Sequence, residues 1–386
     1  MISPYFSPPL LRLHDEMRQI AAAVAAPRAA EVDEKRMWPA HTFEALASAG
    51  LLGLHVPEEL GGHGQGLLAL ASLTEILAQS CSSSSICYGM HCVGTAVIAA
   101  KPSDYHRERY LAPIAAGKHV TTLSLSEPGT GVHFYLPTTQ LIGDGDEYVL
   151  RGLKHFVTNG GHVNSYVVST VASDASHGEF TCILVDENTP GMHWSGEWDG
   201  FGMRGNSSIV MNLDDARVPQ RNLLGEEGDQ IWYVFEVVAP YFLIAMAGTY
   251  LGIAQAALDY TVNHLRTRVY TTGSEPPANA DVLQHRVGAL WSRLEATRQF
   301  LYSAAFAGDS GDAAALPAIL SSKAQISDVA VEVVNECMTL CGGIAYRENS
   351  LLARLLRDVR ASHVMAPTTD LLRLWTGRAL LGQPLL

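Results

Sequence analysis

The pattern of apolar and polar positions divides the chain into three stretches of different character. Over residues 10–118 the period is helical: Ala22, Ala25, Ala29 and Val32 share one face, and Phe43, Leu46 and Leu51-Leu52 keep a face apolar further on. Residues 70–100 are apolar on nearly all sides, which predicts an interior helix or helix pair, and Pro57 with Gly61-Gly62 predicts a loop before it. Near residue 120 the period changes to short β-branched or aromatic runs. These are Thr121-Thr122-Leu123-Ser124-Leu125-Ser126, Tyr148-Val149-Leu150, Ser165-Tyr166-Val167-Val168-Ser169 and Phe180-Thr181-Cys182-Ile183-Leu184-Val185, closing around Ile209-Val210-Met211-Asn212-Leu213. Clusters of Gly, Asp, Asn and Pro separate them at strand-and-turn intervals, which predicts a β-barrel or sandwich.

After Pro219 the helical period returns. Leu251, Ala254, Leu258 and Val262 define one face, Leu290, Leu294 and Phe300 another, with a break at residues 273–277. The expected architecture is α+β, with a helical domain over 1–119, a β domain over 120–228 and a helical bundle over 229–386.

Composition narrows the function. A length of 386 residues exceeds one ordinary core. Hydrophobic residues at 47% and charged residues at 17% describe a globular chain without a disordered tract. The net charge of −13, with no basic run, argues against nucleic acid as a partner. Six cysteines form no zinc-type pair, and the spacings of Cys87/Cys92 and Cys337/Cys341 read as small buried residues, so neither a disulfide nor a metal is expected. Met1-Ile2-Ser3-Pro4 lacks the charged start of a signal peptide, and no uninterrupted apolar run reaches transmembrane length; a cytoplasmic protein without a membrane span is expected. No Gly-x-Gly-x-x-Gly follows a strand, so a nicotinamide site is not indicated.

Several motifs then occur in a telling order: Gly50-Leu51-Leu52-Gly53-Leu54-His55-Val56-Pro57-Glu58-Glu59-Leu60-Gly61-Gly62, Leu125-Ser126-Glu127-Pro128-Gly129-Thr130-Gly131, Gly152-Leu153-Lys154-His155-Phe156-Val157-Thr158-Asn159-Gly160-Gly161, Gly202-Met203-Arg204-Gly205-Asn206-Ser207 with Val218-Pro219, and the closing stretch from Arg357-Asp358 to Arg378-Ala379-Leu380-Leu381-Gly382. Over nearly the whole chain this resembles the acyl-CoA dehydrogenase family. The resemblance implies an N-terminal helical domain, a central β domain and a C-terminal four-helix bundle, assembled as a homotetramer or homodimer. It implies FAD between the β domain and the bundle, and an acyl thioester of CoA or a carrier protein as substrate. Leu125, Ser126 and Gly131 then lie beside the isoalloxazine, with Phe156, in the place of the usual tryptophan, and Thr158 on its far side. Thr368 is a further FAD contact, and Arg268, Gln284, Gly342 and Gly343 reach the adenine and pyrophosphate of a neighbouring subunit. Bare glycine amides suit phosphate oxygens, since no side chain holds the anion away. The family's usual Gly-Ser-Asp is here Gly131-Val132-His133, the Phe-Gly after Arg268 is missing, and the linker 271–281 is longer.

The main departure is at Ala366, where the family carries the glutamate that removes the substrate's α-proton. A base must reach its proton and hold a suitable pKa. Alanine has no side chain for either, though its backbone N–H still offers a donor to the thioester carbonyl. The alternative base position of some relatives falls at Phe242, with Leu243 where an arginine is usual. Pro367 replaces a glycine and is expected to open the last helix, placing Asp370 about one turn in. A carboxylate there is favoured by the helix dipole, and Asp370 is also the replacement-base candidate. Tyr88, His91, His133 and His363 are further pocket candidates. Tyr88 and His91, with Ser83, Ser84 and Ser85 nearby, predict a polar floor suited to a non-fatty or oxygenated acyl group. Three functions follow: an FAD enzyme acting on an acyl thioester with a non-standard base, a base-less partner in a hetero-oligomer with a homologous subunit, or a flavin monooxygenase on the same fold.

Overall fold

Ser7 opens the first helix by accepting the Leu10 N–H at 3.3 Å, and Pro8 occupies the first turn, where its missing N–H costs nothing. The computed structural model describes residues 4–174, 180–228, 232–269 and 275–386. Helix α1 (Pro8–Ile20) runs through a π-helical turn (Ala21–Ala25) into α2 (Ala26–Glu34), and α3 (Ala40–Ser48) follows. Helices α4 (Leu67–Ala78) and α5 (Ser82–Ala100) are buried along almost their whole length, as their all-round apolarity requires. Short helices α6 (Asp104–His106) and α7 (Ala112–Ala115), joined by a second π-helical turn, close the domain.

Among the described residues eight strands make two four-stranded sheets. Strands β1 (Thr121–Ser124), β4 (Ser165–Thr170), β5 (Thr181–Asp186) and β8 (Leu223–Leu224) form one, with β1 parallel to β4. Strands β2 (Gln140–Asp144), β3 (Glu147–Val157), β7 (Ile209–Pro219) and β6 (Met192–Ser195) form the other, antiparallel throughout. Side-chain alternation explains the continuous apolar runs of β4 and β5. Tyr166, Val168, Ile183 and Val185 point into the core between the sheets, while Val167, Cys182 and Leu184 join the core shared with the helices. One sheet is therefore buried on both faces.

The C-terminal bundle consists of α8 (Ala239–Thr267), α9 (Asp281–Asp309), α10 (Ala315–Cys341) and α13 (Thr369–Leu380), with α11 (Leu351–Val359) and α12 (Ala361–Val364) leading into the last. Helix α8 continues a π-helical segment (Tyr233–Val238). Glycines one turn apart let α8 press onto α4: a Cβ at Gly248 would meet the Ala71 carbonyl oxygen at 2.4 Å, and one at Gly252 the Glu75 carbonyl oxygen at 2.3 Å.

Two expectations change. The helix Tyr233–Thr267 is long and apolar enough to cross a bilayer, contrary to the sequence reading, but it lies almost wholly inside the protein as the centre of the bundle. Pro367 does not open the last helix: α13 begins at Thr369, Thr368 is its N-cap accepting the Leu371 N–H at 3.4 Å, and the Ala366–Pro367 bond is cis. The six cysteines are buried and unbridged. Among the described residues no His, Cys, Asp and Glu cluster is arranged to hold a metal ion.

Candidate active-site cleft

A cleft of about 510 Å³ opens where the three domains meet. Helix α5 contributes Ile86 and Met90, one turn apart. Strand β1 and the loop after it contribute Leu123, Leu125, Ser126, Glu127, Pro128, Gly129, Thr130 and Gly131, with Phe134 beyond. From the other sheet come His155, Phe156 and Thr158, and from the loop before β7 Gly202, Met203, Asn206 and Ser208, with Trp198. The bundle side supplies Val238, Ala239, Phe242 and the turn holding Ala361, Val364, Met365, Ala366 and Pro367.

A bulge aims Phe156. The β3–β7 register shifts between Lys154 and Val157, Phe156 takes φ 53°, and its ring lines the cleft at 65% exposure. Bulges of this kind turn a side chain out of the ladder toward a site. Thr158, just past the strand end, shares a hydrogen bond of 3.0 Å with Ser208. Beneath them Lys154 is fully buried and donates from Nζ to Glu127 Oε1 at 2.5 Å and to Ser169 Oγ at 2.9 Å. Glu127 also accepts from the amides and hydroxyls of Thr138 and Thr139. Burial opposes its charge, but the Lys154 ammonium and these donors outweigh it and hold the carboxyl down at about 2. Among the described residues Glu127 and His155 are the titratable side chains of the cleft wall, and the Lys154 ammonium holds Glu127 as an anion.

On the bundle side a second lysine is fully buried. Lys323 of α10 donates from Nζ to the Met365 carbonyl at 3.0 Å and the Pro367 carbonyl at 2.9 Å, and burial pushes its ammonium down to about 7. Among the described residues it makes no ion pair.

Of the residues expected beside flavin or substrate, Leu125, Ser126, Gly131, Phe156, Thr158, Phe242 and Ala366 line this cleft. Tyr88, His91 and His133 do not. The Tyr88 hydroxyl donates to the Leu51 carbonyl at 2.9 Å, and His91 Nε2 donates to the Leu52 carbonyl at 3.0 Å while Nδ1 accepts the Thr121 N–H at 3.2 Å. Burial pushes the His91 imidazole down to about 4, so it is neutral structural wiring. Ser84 pairs with Thr42 and Ser85 with Thr249 and the Thr74 carbonyl, so the polar floor is replaced by the Ile86–Met90 face of α5. His133 is exposed and bonds the Tyr135 hydroxyl at 2.7 Å. His363 bridges Arg360 and Asp328. Asp370 stands 92% exposed in the first turn of α13, paired with Arg373 at 3.3 Å, and does not line the cleft. Arg268, Gln284, Gly342 and Gly343 sit on the exposed outer surface, away from this cleft. Residues 271–274 of the longer linker lie outside the described residues.

His155, the Glu127–Lys154 pair and Lys323 were not singled out in the sequence. Alternation along β3 was the available signal for Lys154, which shares its face with Leu150.

Between an aromatic wall and an aliphatic one, with a few hydroxyls placed along it, the cleft suits a planar fused ring and an acyl chain. Three family models account for most of the chain: the acyl-CoA dehydrogenase N-terminal domain over residues 9–118, the middle domain over 122–216 and the C-terminal domain over 240–381. The chain belongs to the acyl-CoA dehydrogenase family. It is 30% identical over 370 residues to cyclohex-1-ene-1-carbonyl-CoA dehydrogenase of Geobacter metallireducens, covering 95% of this chain and 96% of that one. It is 29% identical to mitochondrial isovaleryl-CoA dehydrogenase of Pongo abelii, over 95% and 89%. Butyryl-CoA dehydrogenase of Megasphaera elsdenii superposes with a TM-score of 0.91 at 26% identity, over 97% of this chain and 99% of that chain. The protein is thus an oxidoreductase of the kind that acts on CH–CH donors, and its cofactor is FAD.

Proposed function

We propose that this chain oxidises an apolar acyl thioester at its α,β carbons without the family's carboxylate base, Ala366 standing where that glutamate belongs. The observation that carries the reading is the chemistry of the cleft wall: its one carboxylate among the described residues, Glu127, is ion-paired and held at about 2. An anion of that kind takes no proton from a carbon acid near neutral pH. Bound FAD supplies the hydride acceptor. Phe156 and Thr158 would hold the flavin from the β-domain side, and Leu125 and Ser126 would border it. Ile86, Met90, Val238 and Phe242 enclose an acyl group without polar partners. The Ala366 N–H polarises the thioester carbonyl, which acidifies the α-proton and lowers the demand on any base. His155 remains as the wall residue able both to take and to give a proton.

Arg268, Gln284, Gly342 and Gly343 are proposed to serve FAD in a neighbouring copy, which makes the working form an oligomer. A second reading shares the same observation: Ala366 and Phe242, the two positions for a base, are both apolar and both line the cleft, as a subunit completing a homologous partner would have them. The deciding experiment is the anaerobic visible spectrum of the purified protein titrated with acyl-CoAs of graded size. Bleaching of bound FAD by one of them supports the dehydrogenase. FAD that no thioester bleaches overturns it, and protein that stays colourless with added FAD favours the incomplete subunit.

A further inference from the structure

We propose that Lys323 is the positioning residue of this site, fixing and polarising from behind the turn the Ala366 N–H that faces the substrate carbonyl. The inference rests on the thioester reading above and adds a residue to it.

The geometry is that of a clamp. Met365, Ala366 and Pro367 line the cleft, whereas Lys323 does not and is fully buried on the far side of the turn. Its Nζ reaches the Met365 carbonyl at 3.0 Å and the Pro367 carbonyl at 2.9 Å, one on either side of Ala366. Both carbonyls are therefore drawn toward α10. In a planar trans peptide the N–H points opposite to the C=O it is bonded through. The Met365–Ala366 peptide is trans, the cis bond being the next one, so the Ala366 N–H is directed away from Lys323, on the cleft side.

Elimination gives the same donor. The Met365 N–H is used on the Ala361 carbonyl at 2.9 Å, and Pro367 has no N–H. Among the described residues the Ala366 amide has no intramolecular acceptor. The lysine also acts through the peptide itself: a hydrogen bond donated to the Met365 oxygen withdraws electron density and strengthens the N–H of the same amide as a donor. An apolar side chain of similar length would fill the α10 position at less cost than a buried amine. Tyr250 steadies the same turn, donating to Met365 Sδ at 3.6 Å.

The test is the infrared carbonyl band of acetyl-CoA carrying 13C at the thioester carbon, bound to the FAD-loaded protein. Acetyl-CoA has no Cβ hydride to give, so it reports polarisation without reaction. In wild type the band is expected to shift to lower frequency. In Lys323→Met the shift is lost while FAD content and the affinity for acetyl-CoA stay within about threefold, and any acyl-CoA that bleaches wild-type FAD does so roughly tenfold more slowly at saturation. Lys323→Gln, which keeps an N–H donor, restores part of the shift and is the variant to read if Lys323→Met does not fold. An unchanged shift in both variants overturns the role of Lys323 and leaves the dehydrogenase reading standing. The absence of a shift in wild type overturns the carbonyl-polarising role and Lys323 with it, whereas shifted bands in a protein whose FAD is never bleached overturn only the dehydrogenase.

Discussion

The cleft has a fully buried lysine behind each of two walls, and the two are compensated differently. Lys154, behind the β wall, faces the Glu127 carboxylate; among the described residues Lys323, behind the bundle wall, faces two peptide carbonyls. A full counter-charge lets an ion pair persist in a dry interior, because both members stay charged together. Carbonyl dipoles give hydrogen bonds but no charge, and burial then drives the lysine toward its neutral form. The first arrangement is a fixed part of the scaffold. The second is cheap to protonate or deprotonate near neutral pH, and it sits against the turn that carries Ala366.

The sharpest way to break the comparison is Glu127→Ala, which strands Lys154. A loss of about 3–5 kcal/mol is expected in urea unfolding, since an unpaired buried charge remains; Lys323→Met, which strands no charge, should cost clearly less. Equal losses would show that the two lysines are not different in kind. Next in size is Ala366→Glu, which puts a carboxylate beside the clamp. If proton removal is the missing function, the bleaching rate with acyl-CoA should rise about a hundredfold, read by stopped-flow absorbance.

Titration separates the walls further. The Glu127 carboxyl is held at about 2 against an ordinary 4.5, so its stabilisation is fully present above 4.5 and fades as the pH falls toward 2. Lys323 is lowered from 10.5 to about 7, so the unfolded chain binds the extra proton between those values and stability rises with pH across that window. The slope has a ceiling of roughly 1.4 kcal/mol per pH unit. Asp328, on the same helix as Lys323, pairs with Arg373 and bonds His363. Comparing denaturation of wild type and Lys323→Met from pH 7 to 10 isolates the lysine; parallel curves would contradict its burial without a counter-charge. The smallest effect is assigned to Asp370→Asn, within about 0.5 kcal/mol in stability and less than twofold in bleaching, because that carboxylate is exposed and surface pairs contribute little.

The fold was largely legible because its periods are strong. The all-apolar run over α5 and the β-branched runs of β4 and β5 have no other stable placement. Strands β2 and β6 escaped notice as short edges with polar residues such as Gln140, Asp144 and His193, which need no continuous apolar pattern. At the site, Leu125, Phe156 and Ala366 could be found from motif order. Tyr88 and His91 could not be excluded, because residue type on an interior helix does not say which face it occupies, and here that face seeks the Leu51 and Leu52 carbonyls. Lys323 was invisible for the opposite reason: a lysine in a helical sequence reads as solvated surface until the turn above it is known.

The sheet buried on both faces has a consequence for how such a chain can be rearranged in evolution. Val167, Cys182 and Leu184 face the helices rather than the partner sheet, so the β region carries an apolar underside that only its own helical neighbours cover. Excised, that region would present a sticky plane. Transplanted between distant homologues, it would meet a mismatched surface.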